Sequence, residues 1–376
     1  MTDHMPVIDF LVCGAGIAGA SIAAELAPAG SVTVIEQEDI AGYHTTGRSA
    51  ALYIPSYGNP VIRGLTAASR AFFDAPPVGF TDHPILTPRG CLHIADAART
   101  DQLEALAVEL SSTGVEVQRI SGEAARAMVA VLRPEAVAAG VWEPGAADID
   151  VAALHGGYQR LARQRGAVFR LSAGLKALER AGDVWRARLA DGETLEARTL
   201  VNAAGAWGDI VAGLAGARPV GLQPKRRTAM ILEPPPGFDI ARWPAVIDVE
   251  EHFYFKPEAG MILATPADET PSEPVDAAPD EMDIAICIDR LQTAADIPVR
   301  RVVRSWAGLR TFAPDRTPVF GPDPEVPGFF WYVGQGGYGM QMAPAAAVLG
   351  AALARGDSVP EETAAAVSPA RFAAGG

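Results

Sequence analysis

Gly14, Gly16 and Gly19 stand at the spacing G-x-G-x-x-G, and Glu36 follows 22 residues after the first of them. Glycines so placed let a strand turn tightly into a helix, bring backbone close to a pyrophosphate, and allow close helix–strand packing. A carboxylate at Glu36 accepts both hydroxyls of an unphosphorylated ribose and repels a 2′-phosphate. A second corner, Gly334-Gln-Gly336-Gly337-Tyr338-Gly339, aims backbone N–H groups at an anionic or electron-rich ligand edge. Two arginines are candidates for holding a carboxylate, because a guanidinium fork meets it with two parallel hydrogen bonds. Arg227 closes the basic triplet Lys225-Arg226-Arg227 and, on its residues alone, reads equally well as a surface side chain. Arg310 sits between Gly308 and a turn in an apolar stretch, where a surface role is harder to assign.

These groups need elements to hold them. Residues 10–13 form an apolar run that enters the first glycine corner, a small-residue helix follows over 20–27, and residues 32–35 form a second apolar run ending on Glu36. That strand–turn–helix–strand unit predicts a dinucleotide site, and the motif alone does not choose between NAD and FAD. Residues 199–208 read as a late strand returning to the same sheet. No second G-x-G-x-x-G appears there, so one dinucleotide site is expected. Residues 47–51 suggest a helix start, 53–59 a loop over a pocket, and 61–73 a surface helix with Val61, Leu65, Ala68 and Phe72 on one side. The proline-rich stretch 74–88 reads as a crossing to another domain. Asp148 and Asp150 suit the cap of a helix over 151–165. A meander over 167–198 follows, ending in a strand at 194–198 separate from the next. From Pro224 short strands at 227–232, 245–249, 252–256 and 260–264 predict an antiparallel sheet. An acidic loop (268–280), a helix (282–294), strands at 300–312 and 329–333, a helix over 342–355 and a frayed Ala-rich tail after Glu361 complete the reading. The expected fold class is α/β, a Rossmann-like nucleotide-binding domain with an α+β domain built on a mainly antiparallel sheet.

A chain of 376 residues, 49% hydrophobic and 20% charged, is globular and long enough for two domains. Its net charge of −14 argues against nucleic acid as a partner. Cys13, Cys91 and Cys287 are widely spaced, which fits a reducing compartment, and no metal site is expected. No lysine or arginine precedes Arg48, so the apolar run near the N-terminus lacks the charged leader of a signal peptide. A cytoplasmic protein with no membrane segment is expected.

Together the motifs resemble the D-amino-acid oxidase superfamily of FAD enzymes, which includes glycine and sarcosine oxidases. The likeness runs through the first glycine corner with Glu36, Gly47-Arg48-Ser49, Val201-Asn-Ala-Ala-Gly205-Ala-Trp207, Gly308-Leu-Arg310 and Gly336-Gly337-Tyr338-Gly339. Longer strings at 42–51, 65–74, 221–227 and 306–310 are most similar to the bacterial D-arginine dehydrogenases. The resemblance implies an FAD domain assembled from 5–82, 146–219 and 306–360, and a substrate domain from 83–145 and 220–305. It implies cofactor contacts from Gly14, Gly16, Ile17, Ala18 and Gly19, then from Glu36 and Gln37, and then from Gly47, Arg48, Ser49 and Ala50. Further contacts would come from Ala203, Ala204, Gly205 and Trp207, from Gly308 and Arg310, and from Gly336, Gly337, Tyr338, Gly339, Met340 and Gln341. Sarcosine oxidases tether their flavin through a cysteine just before the Pro–Asp turn. Residues 309–315 here hold no cysteine, so FAD is expected to be noncovalent.

In that family an amino acid gives a hydride from its α-carbon to the flavin, and the imine product hydrolyses to a 2-oxo acid. The resemblance assigns the carboxylate to Arg227 and Arg310, places Tyr57 and Tyr254 in the pocket, and gives the carbonyl of Gly337 to the amine. Three positions depart from the D-arginine dehydrogenases. Cys91 stands where they carry a glutamate for the substrate guanidinium, and Leu52 and Ile54 replace a histidine and a threonine. A buried guanidinium without a carboxylate is strongly disfavoured. The sequence therefore predicts a D-amino acid with a neutral or apolar side chain, with a secondary amine or cyclic imino acid as the alternative. An NAD-linked dehydrogenase using the first corner alone leaves the second corner unexplained. A flavin-binding protein without catalysis is the remaining reading. Whether oxygen or a quinone accepts the electrons is not legible in the residues.

Overall fold

The computed structural model describes residues 6–372. Two large sheets organise it, and each grows from a different hydrophobic pattern. Residues 10–13 and Val32–Ile35 are buried at every position, as strands covered on both faces must be. They pair in parallel, and Ile8–Cys13 pairs on its other side with Thr194–Asn202. Val168–Arg170 extends the sheet beyond Val32–Ile35, and Phe329–Val333 pairs in parallel with the end of Thr194–Asn202. Helices Ile17–Leu26, Val151–Gln164 and Gly339–Arg355 bury one face, with Val12, Ile22 and Ala346 in that core. Leu11, Trp185 and Trp331 pack on the other.

The second sheet is mainly antiparallel. Its longest pairing joins Gln223–Leu232 to Val302–Phe312, and it continues through Met261–Thr265, Tyr254–Glu258 and Ala245–Asp248. Ala245–Asp248 then pairs in parallel with Cys91–Ala95. Glu281–Ala294 and Gly122–Met128 cover its outer face, with Cys287 of the first helix packed over Leu92, Met230 and Phe255. The architecture is the α/β combination expected.

Several local expectations need correction. Residues 194–202 form one strand, not two: its first half pairs antiparallel with Val184–Leu189 and its second half joins the parallel core. Residues 47–51 do not begin a helix, because only a single tight turn over Thr46–Arg48 forms before the chain extends at Ser49. The helix Pro60–Asp74 buries Ile62, Leu65, Thr66, Ser69 and Phe73, a stripe offset from the one anticipated, because it packs against Gly339–Arg355. The tail does not fray throughout: Glu361–Val367 and Pro369–Phe372 pack beside Val319–Pro322. Residue 5, where the first anticipated segment begins, lies outside the described residues.

Candidate active site

The ends of strands Ile8–Cys13, Val32–Ile35, Thr194–Asn202 and Phe329–Val333 meet the starts of helices Ile17–Leu26 and Gly339–Arg355 at one cavity of about 660 Å³. Their closeness can be read from the glycines. A Cβ on Gly14, whose φ is +106°, would lie 2.6 Å from the Ala203 carbonyl oxygen. One on Gly339 would lie 3.7 Å from Ile17 Cγ2, and one on Gly308 would lie 3.4 Å from Arg48 Cβ. Segments nearly 200 and more than 300 residues apart in the chain therefore line one cleft. Glu36 ends the second strand inside it, with Oε2 accepting from the Ala15 N–H at 2.8 Å and Oε1 from the Glu38 N–H at 3.1 Å. Those bonds fix the carboxylate against the Gly14–Gly16 turn. Thr46 accepts from the Ile17 N–H at 2.9 Å and stands over Gly16.

The opposite end is built by register. In the antiparallel pair, Lys225 faces Arg310 and Arg227 faces Gly308, so these side chains emerge from one face of the second sheet. Arg310 is buried, and its Nη2 donates to the Tyr57 hydroxyl at 2.7 Å. Arg227 donates from Nε to the Asp268 carbonyl at 2.8 Å. Burial first, and then the neighbouring Arg310 charge, push the Arg227 guanidinium below its ordinary range. Tyr57, Tyr254, Arg227 and Arg310 all line the cavity. Gly337 lies directly against Arg310, since a Cβ there would come within 2.0 Å of Nη2.

Tyr57 is held by its loop. Ser56 gives its N–H and hydroxyl to the buried Glu143 carboxylate at 3.2 and 2.6 Å, Gln341 accepts from the Ile54 N–H at 3.2 Å, and the Tyr57 ring meets Tyr338 edge-on at 4.8 Å. Of the six non-glycine residues with positive φ among the described residues, Ala51, Glu251, Ala267 and Arg316 line this cavity. Backbone strain of that kind collects where side chains must be aimed.

Most residues anticipated at the site lie along this cavity, including Ile17, Ala18, Gln37, Ser49, Ala50, Leu52, Ile54, Ala204, Gly205, Trp207 and Met340. Four do not line it. Gly19 instead closes on the Gly14 carbonyl, and Gly47 donates to the Gly42 carbonyl at 2.8 Å. Gln341 ties Ile54 to Thr66. Cys91 is fully buried behind the wall, where burial and then the charges of Glu143 and Glu251 raise its thiol well above the ordinary range. The side chain that reaches the cavity from that strand is His93, two residues on, with its Nε2 3.6 Å from Cys91 Sγ. Arg48 lines the cleft, but its guanidinium spans to the acidic loop, pairing with Asp276 and donating to the Ala277 and Ala307 carbonyls at 3.0 Å.

His93, Arg316 and Glu269 escaped the reading of the sequence. Strand alternation places His93 on the same face as Cys91, a signal that was present. Arg316 belongs to a turn, and nothing local marks it. Glu269 accepts from Arg316 at 2.8 and 3.0 Å and from Lys225 at 2.9 Å. Burial alone would raise its carboxyl, but those hydrogen bonds and the Arg310 and Arg316 charges hold it at about 2.

The family model described as FAD dependent oxidoreductase, DAO, matches residues 9–353. The chain belongs to the DAO family of FAD-dependent oxidoreductases. It is 27% identical, over 97% of its length, to the tRNA 5-methylaminomethyl-2-thiouridine biosynthesis bifunctional protein MnmC of Burkholderia vietnamiensis, and spans 60% of that protein. Its fold is similar to glycine oxidase from Geobacillus kaustophilus (TM-score 0.82, 21% identity, 94% of this chain and 95% of that one). It is equally similar to L-proline dehydrogenase from P. horikoshii (TM-score 0.82, 22% identity, 98% of each chain). At those identities the likeness is one of fold.

The cleft fits FAD on its own geometry. Its volume lies within the range of large ligand pockets, about 300–1,000 Å³. Gly14 permits an approach that a side chain would close, and the space beside Gly205 is open. The helices starting at Ile17 and Gly339 begin beside one another at the DAO cleft, where first-turn N–H groups have no intrahelical carbonyl partner. Cys13 lines the cleft, but burial pushes its thiol up to about 12, which leaves it protonated and a poor nucleophile. Among the described residues no helix is long and apolar enough to cross a membrane.

Proposed function

We propose that this chain oxidises an α-amino acid of D configuration at its amine-bearing carbon, as the D-arginine dehydrogenases do, but with a neutral or apolar side chain preferred to arginine. The observation that carries this reading is the meeting of Arg227, Arg310, Tyr57 and Tyr254 in one cavity with Gly14, Glu36 and Gly337. In this proposal residues 83–145 and 220–305 form the substrate domain and contribute His93, Arg227 and Tyr254, while the remaining segments hold the cofactor noncovalently and add Leu52, Ile54, Tyr57, Arg310 and Gly337. FAD, when bound, supplies the two-electron acceptor for the hydride that leaves the substrate.

The residues of the chain bind and orient. Arg310 and Arg227 take the substrate carboxylate as a charged fork. Tyr57 already accepts from Arg310, so its own O–H is free to donate to the same carboxylate. Burial raises the Tyr254 hydroxyl above its ordinary range, so it stays protonated as a donor. The Gly337 carbonyl accepts from the amine and turns its lone pair toward the α-carbon. Orientation of this kind lowers the barrier more than a strong base would. Leu52 and Ile54 line the side-chain end, and burial holds His93 near 4, hence neutral. A desolvated guanidinium finds no paired carboxylate among them.

A second reading rests on Glu251, which is exposed, has a φ of +54° and lines the same cavity. A long cationic side chain that reached it would favour D-arginine. A third is a secondary amine or cyclic imino acid. Anaerobic mixing of the flavoprotein with D-leucine, D-phenylalanine, D-proline, D-arginine, sarcosine and the L-enantiomers separates them. Fastest flavin bleaching by D-leucine or D-phenylalanine is expected. A D-arginine preference favours Glu251, an L-enantiomer preference removes the stereochemical proposal, and no bleaching by any amine leaves a flavin-binding protein without catalysis.

A further inference from the structure

Glu269 lies between the strands Met261–Thr265 and Thr270–Pro271, in the loop that carries Asp268 against Arg227. Its two oxygens gather four cations. Oε1 faces Arg316 Nη2 at 2.8 Å, Arg310 Nη1 at 3.4 Å and Arg227 Nη2 at 3.7 Å. Oε2 faces Arg316 Nη1 at 3.0 Å and Lys225 Nζ at 2.9 Å. Among the described residues no other carboxylate comes within 4.0 Å of a guanidinium nitrogen of Arg227 or Arg310.

Two guanidinium groups beside one another in a poorly hydrated wall repel strongly, because the screening that water supplies is reduced. A carboxylate fixed between them opposes that repulsion. Glu269 is itself fixed, by a two-point pair with Arg316 and by Lys225, so it is an anchored counter-ion and not a mobile one. Four cations against this one anion still leave the cluster three charges positive, room for a substrate carboxylate to enter as the next negative group. Glu269 does not line the cavity, whereas Arg227, Arg310 and Arg316 do. It therefore holds the arginines from behind and leaves their cavity-facing donors to the substrate.

We infer that Glu269 is a positioning residue, the resident counter-ion that sets the geometry of the Arg227–Arg310 carboxylate clamp and so tunes the site to amino acids over simple amines. This rests on the proposal that the two arginines bind the substrate carboxylate. With the charge removed, Arg227 and Arg310 move apart, and the fork no longer matches a carboxylate.

The test is steady-state kinetics of the FAD-loaded Glu269→Gln and Glu269→Asp variants, with whichever amino acid the wild type oxidises fastest. Glu269→Gln is expected to raise KM at least tenfold while kcat at saturation changes less than threefold. The inhibition constant of benzoate should rise in parallel, and Glu269→Asp should recover most of the loss. A merely structural role would lower active-enzyme yield or kcat without that split or rescue. A KM unchanged within twofold, or lowered, overturns the inference. If Glu269→Gln yields no folded holoenzyme, Lys225→Met frees one anchor of Glu269 from outside the cavity. It should raise KM about threefold, and an unchanged KM again overturns the inference. Arg310→Ala run alongside separates the two levels. If that variant keeps its KM for every substrate, the clamp itself is wrong; if it raises KM and the Glu269 and Lys225 variants do not, only the inference fails.

Discussion

The Tyr57 hydroxyl accepts a 2.7 Å hydrogen bond from Arg310 Nη2, joining a loop near the N-terminus to a strand 253 residues later. The bond fixes the guanidinium plane on the cavity side, while Glu269 fixes it on the other. Tyr57→Phe removes one hydrogen bond to a charged group, a loss of about 1.5–3 kcal/mol if it is fully used. KM for the amino acid should rise about tenfold or more, with a smaller effect on kcat. Steady-state kinetics checks this, and an unchanged KM would deny the bond any part in binding.

Gly337→Ala should damage substrate binding and spare the cofactor. The added methyl would lie 2.0 Å from Arg310 Nη2 and 2.4 Å from Cζ, so the guanidinium must move. Gly14→Ala should do the reverse, because its φ of +106° and the nearby Ala203 carbonyl leave no room for a side chain. Flavin absorbance per protein, measured beside KM, distinguishes them. Loss of flavin from Gly337→Ala with none from Gly14→Ala would contradict the placement of both corners.

Glu36→Gln should weaken FAD binding by about ten- to a hundredfold, the scale of a lost charged hydrogen bond. Reconstituting apoprotein with FAD and following flavin fluorescence gives the dissociation constant. Equal affinity in variant and wild type would mean that the carboxylate serves only the Ala15 and Glu38 N–H groups.

His93 gives stability a pH dependence whose sign is fixed. Burial lowers it to about 4 in the folded protein, against 6.5 when exposed. Between those values the unfolded chain binds the extra proton, so stability falls as pH drops through that window, by an amount on the order of 3 kcal/mol. Glu269, held at about 2 against 4.5, contributes above 4.5 and loses that contribution as pH falls toward 2. Urea unfolding at pH 7 and pH 4.5 should therefore show a smaller difference in His93→Gln than in wild type. An identical difference would place the titration elsewhere.

Periodicity and punctuation carried much of the fold. The apolar runs at 10–13 and 32–35 fit a sheet covered on both faces, and the short strands after Pro224, separated by Pro, Gly and Glu, point to a second, antiparallel one. The tight turn at 46–48 departs from the helix start that local propensity suggests, because Gly47 is held by the Gly42 carbonyl, a contact that helix propensity does not encode. The strand 194–202 reads locally as two because its halves have different partners, and pairing is invisible to a local window.

The sequence by itself determined the nucleotide corner, since glycine spacing and a terminal acid answer to backbone geometry within some two dozen residues. It also placed Arg310 and Arg227 among the candidates, through their setting and their resemblance to known strings. Only the tertiary structure decided that His93 rather than Cys91 reaches the cavity, and that Glu269 stands behind the arginine pair, held there by Arg316. Glu269 lies about forty residues from Arg227 on one side and from Arg310 on the other, and the three sit on two strands and a loop. Their meeting depends on sheet register and on the path of that loop, and no local pattern of residue types specifies either.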